Sequence, residues 1–234
     1  MSAGARSGTL EEGQVRAMFD RIAGPYDLMN SVMTAGLHHR WRERAADLAR
    51  VGPGSRALDV ATGTGDLAIE LASRGADVVG SDFSEGMLDV ARRKAPALTW
   101  EQGNALALPY PDAAFDATTV GFGARNFSDL PRGLGEMTRV VRPGGRVVVL
   151  EITTPTRPPL STFFSLWFDR IVPVLGRLSG EDQAYSYLPS SVKRFPGPHE
   201  LGGLMWEAGL RDVRWILTAG GIIALHWGTV DGKR

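Results

Sequence analysis

The chain has no cysteine. Disulfides, thiolate zinc sites and cysteine nucleophiles are thereby excluded. Histidine is scarce: His38, His39, His199 and His226 are scattered, with no H-E-x-x-H pair, so no metal site is expected. Neither charge is in surplus, since Lys+Arg and Asp+Glu both number 26. A nucleic-acid binder usually carries a basic excess, so none is expected as a partner. No apolar run is long enough to cross a bilayer, and the polar opening MSAGARSGTLEEGQ lacks the apolar stretch of a signal peptide. These absences lead to the expectation of a soluble, cytoplasmic protein.

What is present is 234 residues, 43% of them apolar, which suits one α/β domain with an appended element. Residues 1–14 read as a disordered tail and 15–50 as N-terminal helices broken near Gly24-Pro25 and Gly36. Strand and helix patterns then alternate: strand 55–63, helix Asp66–Ser73, strand 76–83, helix Glu85–Lys94, strand 98–105, strand 115–123, a helix from about Leu130 to Val141, and strand 144–153. Strict alternation predicts a doubly wound, mostly parallel sheet. It stops at Pro155. Residues 155–198 read as an apolar insertion, with a helix from about Leu160 to Leu178 divided at Pro173. A helix at 199–208 leads to strands 210–220 and 221–230, joined at Gly220-Gly221 as a hairpin. The core is thus 51–154 plus 199–234, with seven strands and an antiparallel C-terminal pair.

The segment LDVATGTGDLA (58–68) ends a strand in Gly63-Thr64-Gly65 and opens a helix. Glycines there let backbone approach a ligand, and the helix N-terminus offers free N–H groups to an anion, phosphate or carboxylate alike. Asp82 follows Gly63 by 19 residues at the tip of the next strand. A carboxylate there accepts hydrogen bonds from both ribose hydroxyls of an adenosine. The loop alone satisfies the loose dinucleotide pattern G-x-G-x-x-A. Three features argue against a dehydrogenase: the chain is short for a second catalytic domain, no Tyr-x-x-x-Lys is present, and the sheet closes with an antiparallel pair after Arg142-Pro143-Gly144-Gly145.

That combination resembles the class I S-adenosylmethionine-dependent methyltransferases. More narrowly, MFDRIAGPYDLMNSVMTAGLHHRWR (18–42), GNALALPYPDAAFD (103–116), FGARNFSD (122–129), YSYLPSSVKRFP (185–196) and GGIIALHWG (220–228) resemble the UbiE/MenG/Coq5 family of quinone C-methyltransferases over about residues 15–230. The resemblance implies S-adenosyl-L-methionine as cofactor. It places Thr64, with Gly63 and Gly65, at the methionine end, Asp82 and its neighbour Phe83 at the ribose, and Asn104 and Ala105 beside the adenine. Asp59 organises the loop and the methionine ammonium. Gly121 stands where many members carry serine, so a backbone group replaces the hydroxyl there.

The implied substrate is a polyprenyl quinol, first demethylmenaquinol in menaquinone biosynthesis and second 2-methoxy-6-polyprenyl-benzoquinol in ubiquinone biosynthesis. Methylating a ring carbon requires electron density raised by an ionised hydroxyl and a proton acceptor afterwards. Arg125 and Asn126, just past the fourth strand, are candidates to hold the phenolate, with pairing of Arg125 to Asp129 as the structural alternative. Tyr26 and Asp27 are the next catalytic candidates. Phe164, Trp167 and Phe168 of the apolar insertion, with Tyr185, Tyr187 and Arg194 beyond it, are expected to meet the substrate. His226 reads as a hydrogen-bonded core histidine. The resemblance leaves room for peripheral contact with the inner face of the membrane and for a homodimer. The rivals are a methyltransferase of another small acceptor and a non-catalytic cofactor-binding subunit.

Overall fold

The computed structural model describes residues 12–24, 26–27, 31, 34, 36–156, 158–167, 170 and 182–232; within these, the side chains of residues 163, 165 and 182–186 lie outside the description. Seven strands form one sheet: β1 (Arg56–Val60), β2 (Asp77–Asp82), β3 (Thr99–Gln102), β4 (Phe115–Gly121), β5 (Val141–Ile152), β6 (Leu210–Thr218) and β7 (Ile223–Val230). Their spatial order is β3-β2-β1-β4-β5-β7-β6. The first five are parallel, and β7 runs antiparallel to both β5 and β6. The expected doubly wound sheet with an antiparallel C-terminal pair is present.

Alternation along each strand builds the core. Ala57 and Leu58, or Val148 and Val149, point to opposite faces, and both faces are covered, as a parallel sheet requires. One face packs against α2 (Leu37–Ala49), α3 (Asp66–Ser73) and α4 (Glu85–Lys94) through Ala45, Ala46, Leu67, Leu71 and Leu88. The other packs against α5 (Leu130–Arg139) and α8 (Pro198–Glu207) through Leu134, Met137, Leu201 and Met205. Ser84 and Asp129 cap α4 and α5, each side chain accepting a backbone N–H from three residues on.

Three local expectations need correction. Glu12, Gly13 and Gln14, expected in the disordered tail, belong to α1 (Glu12–Ile22), which buries Val15, Met18 and Ile22. Its stripe docks on Met87 of α4 and on Tyr187, so tertiary burial holds a stretch whose local composition reads as disordered. The hairpin turn is longer than Gly220-Gly221: a 3₁₀ turn over Ala219–Gly221 separates strands that end at Thr218 and restart at Ile223. In the insertion, α6 (Leu160–Leu166) occupies the start of the expected helix, whose end falls outside the described residues. A helix absent from the sequence reading, α7 (Asp182–Arg194), carries Pro189 in its interior. Proline in a helix interior costs a backbone hydrogen bond, and packing of Leu188 and Val192 against Phe164 offsets it.

Candidate active site

The carboxyl ends of β1, β2 and β4 open into a cleft of about 900 Å³, continuous with solvent. It lies where β1 turns toward one neighbour and β4 leaves toward the other, the switch point at which open α/β sheets bind ligands. Its walls include Asp59, Gly63, Thr64, Asp82, Phe83, Asn104, Ala105, Gly121 and Asn126, with Tyr26 and Phe19 above. The cofactor residues expected from the sequence, Gly65 apart, therefore line one cavity.

The two glycines of the loop do different work. A Cβ on Gly63 would meet nothing within 4 Å, and the position lines the cleft, leaving room for close approach. Gly65 adopts φ 88°, and a Cβ there would sit 2.4 Å from the Trp100 ring. The same ring lies 2.4 Å from a Cβ built on Gly80. Trp100 is fixed by its indole N–H donating to Ala95 O at 2.9 Å. Gly65 is thus required by the packing beneath the loop, a cause invisible in the loop's own sequence.

Asp59 and Asp82 form the polar floor. Both are buried. Asp59 accepts from Thr62 Oγ1 and Thr119 Oγ1, each at 2.6 Å. Asp82 accepts the backbone N–H of Gly63 at 2.8 Å and of Ser84 at 2.9 Å. Burial pushes each carboxyl up to about 6, against the lowering effect of those hydrogen bonds. Asp82 therefore ties the glycine loop to the β2 tip. A carboxylate has about four acceptor sites, so two such bonds leave capacity for a ligand's hydroxyls. Asn104 accepts from Leu106 N at 2.9 Å and donates to Glu12 Oε1 at 2.8 Å, which brings α1 across the cleft. At Gly121 a Cβ would press on Leu67 Cδ2 at 3.1 Å, so glycine suits this packing.

Thr64 and Asp27 meet: the threonine hydroxyl donates to Asp27 Oδ1 at 2.6 Å. Asp27 also accepts from Lys94 Nζ at 2.9 Å, and Lys94 bonds Asp66 in turn. Asp27 is thus an ion-paired anchor of the loop rather than an isolated base. Tyr26 packs edge-on against Phe19, whose ring also faces Phe83.

Arg125 does not pair with Asp129, which is occupied as the α5 cap. Its Nη1 donates to Glu151 Oε1 at 2.8 Å and to Phe122 O, and its backbone N–H donates to Glu151 Oε2 at 3.2 Å. Both side chains are buried, 8% and 1% exposed. Burial works against the guanidinium's charge, but Glu151, together with Tyr26 and Tyr187, offsets it and raises its pKa. Among the described residues, Arg125 Nε and Asn126 Oδ1 are buried without a hydrogen-bond partner. Such groups are rare and mark places built for a ligand or water. Glu151 went unnoticed in the sequence because it sits on β5, 26 residues from Arg125 in the turn after β4; its signal is an acid inside an otherwise apolar strand, VVVLEI.

Of the expected substrate residues, Phe164, Trp167, Tyr187 and Arg194 are not among the residues that line this cleft. Phe164 and Trp167 pack with Leu188, Val192, Ile152 and Ile222 in a separate cluster. Tyr187 lies under α1, its hydroxyl pKa raised by burial, with Arg194 5.8 Å over its ring. Phe168 and the side chain of Tyr185 lie outside the described residues. His226 is buried, its Nε2 2.9 Å from Pro198 O, and burial lowers its pKa to about 4, as suits a structural histidine. Among the described residues no helix is long and apolar enough to cross a membrane.

Comparison with known proteins bears on what such a cleft serves. A model of the ubiE/COQ5 methyltransferase family matches residues 7–230. The chain is 49% identical over 218 residues to the demethylmenaquinone methyltransferase of Thermus thermophilus, covering 90% of this chain and 99% of that one. It is 48% identical over 232 residues to the enzyme of the same name from Deinococcus radiodurans, covering 96% and 95%. Among solved structures, a SAM-dependent methyltransferase from Thermotoga maritima superimposes with a TM-score of 0.60 at 21% identity, covering 92% of this chain and 98% of that one.

Proposed function

Because the chain belongs to the ubiE/COQ5 methyltransferase family, we infer that it C-methylates demethylmenaquinol, using S-adenosyl-L-methionine, in menaquinone biosynthesis. The observation that carries this reading is the cleft itself. It has buried carboxylates at two strand tips, an open glycine corner, and polar groups beside it with hydrogen bonds still to make.

When bound, the cofactor supplies a methyl group already activated on a sulfonium, so alignment provides much of the acceleration. Asp82 would offer its remaining acceptor capacity to the ribose hydroxyls. Asn104 and Ala105 border the adenine, and Gly63 and Thr64 the methionine portion. Asp59, with the carboxylates of Asp66 and Asp82, makes the cleft acidic, which suits a cationic ligand. Asn126 Oδ1 accepts a hydrogen bond from a quinol hydroxyl. Arg125, buried behind Asn126 and held by Glu151 outside the cleft lining, supports the negative charge developing on the ring oxygen from there; being charged, it takes no proton itself. Its field lowers the pKa of the hydroxyl, whose proton passes to water in the open cleft; after methyl transfer the ring carbon's own proton leaves to water there as well, restoring the aromatic ring. Tyr26 closes the site from above.

The polyprenyl tail and any contact with a membrane surface belong on the side of the insertion. Leu160, Leu166 and the hairpin residue Leu217 are exposed there by 39%, 48% and 52%, and Leu160 lies against Gly220 at the hairpin turn. This apolar fringe supports such a contact.

The test is incubation of the purified chain with methyl-labelled cofactor and, in separate reactions, reduced demethylmenaquinone and reduced 2-methoxy-6-polyprenyl-benzoquinone. Label in menaquinol, identified by mass, is the expected result. Label only in the second product assigns the ubiquinone branch, and label in neither defeats the reading. Arg125→Ala should lower turnover about 100-fold, roughly 3 kcal/mol of transition-state stabilisation, while S-adenosylhomocysteine still binds.

A further inference from the structure

One cation lines the cleft among the described residues. Arg42 stands against the carboxylates of Glu12, Asp59, Asp66 and Asp82. It projects from α2 toward Asp66 at the start of α3. Its side chain is only 7% exposed, and its guanidinium carbon lies 5.7 Å from the centre of the Phe122 ring. Nη1 is 3.3 Å from Asp66 Oδ2, at ion-pair distance, yet makes no hydrogen bond to any described residue.

The position is fixed at both ends of the loop. Asp66 is the first residue of α3, directly after Gly65, and Asp59 sits four residues before Gly63 on β1. The charge of Arg42 acts on both, pulling the Asp66 carboxyl below its usual range together with Lys94 and moderating the upward push of burial on Asp59. Asp66 is already served by Lys94, which also holds Asp27. Asp66 therefore does not require Arg42 for its own neutralisation. Burying a guanidinium is costly unless its donors are used, and Arg42 is buried with a donor nitrogen unspent.

We propose that Arg42 binds the α-carboxylate at the methionine end of the cofactor, held in place by Asp66 and the Phe122 ring. A planar guanidinium matches a carboxylate with two parallel hydrogen bonds. An amino-acid end brought to the Gly63–Gly65 loop lies next to this residue, whose cation is matched to a carboxylate that the surrounding acids would otherwise repel. The inference rests on the placement of the cofactor given above, and it makes the Arg42–Asp66–Lys94–Asp27 chain a link between the amino-acid end and the segment carrying Tyr26.

Two ligands separate a carboxylate contact from a structural role. S-adenosylhomocysteine carries the amino-acid end, and 5′-methylthioadenosine lacks it. By calorimetry, Arg42→Met should weaken S-adenosylhomocysteine at least tenfold and leave 5′-methylthioadenosine within twofold of the wild-type chain, the latter also reporting an intact fold. Arg42→Lys, which keeps charge but not the fork, should fall between. Equal weakening of both ligands, or of neither, overturns the proposal while the cofactor placement stands. A wild-type chain that binds neither ligand overturns both.

Discussion

The strand tips and the insertion are built on opposite plans. At the tips of β1 and β2, short side chains and backbone do the work: two buried carboxylates, each with two hydrogen bonds, and glycines packed on one tryptophan. In the insertion, long apolar side chains from separated elements meet, Phe164 and Trp167 of one helical segment with Leu188 and Val192 of another. In the first plan the glycine loop and both carboxylates are close in sequence, with Trp100 and Thr119 brought in from later strands; the second depends on which helices happen to dock. The difference teaches that a ligand site made of backbone is rigid by construction, whereas one made of helix faces is adjustable.

Three measurements press on that contrast, ordered by their expected effect on S-adenosylhomocysteine binding. Gly65→Ala places a methyl inside the Trp100 ring at a φ of 88°. Strain and overpacking together should cost about 3–5 kcal/mol of stability, roughly 10 °C in Tm, and remove measurable binding. Thermal melts within 2 °C of the wild-type chain would show the tips to be as pliable as the insertion.

Asp82→Ala should weaken binding by at least ~1–3 kcal/mol, because the ribose hydroxyls lose their acceptor. The effect has a pH signature. Burial raises this carboxyl from 3.8 to about 6, and the ligand's hydroxyls donate to the charged form. Affinity should therefore fall as pH drops through about 6, with a flatter profile in Asp82→Asn. For the unliganded chain the sign reverses: a raised carboxyl pKa withdraws stability as pH climbs from about 4 to about 6. Calorimetry from pH 5 to 8 decides it, and a level wild-type profile would remove Asp82 from the ribose.

Phe164→Ala should leave affinity for the ligand within threefold while exposing the insertion to protease, since its cluster is separate from the cleft. A large loss of affinity would erase the distinction between the two plans.

The same contrast explains what was legible in the sequence. Helices Asp66–Ser73 and Glu85–Lys94 are where periodicity puts them, because each starts at a turn or cap encoded locally. The mostly parallel sheet and its antiparallel close follow from alternation and the closing hairpin, whereas the order of the strands does not. What stayed hidden is non-local: Glu151 beneath Arg125, Glu12 reaching Asn104, and Trp100 under Gly65 and Gly80. The helix through Pro189 was hidden for another reason, a local breaker overruled by packing. Of the site, the glycine loop and its partner acid were readable. Arg42 was not singled out, since an arginine in a helix rich in charges looks like a solvated one until α2 is packed against the sheet.

One topological detail governs how the chain can assemble. β7 follows β6 along the polypeptide, yet in space it lies inside it, zipped between β5 and β6. β6 has no seat on the sheet until β7 has been made and threaded into the gap. A nascent chain halted after Thr218 would hold a bare inner rim at β5 and a strand with nothing to pair with, so the fold withholds its final closure from any product that stops short.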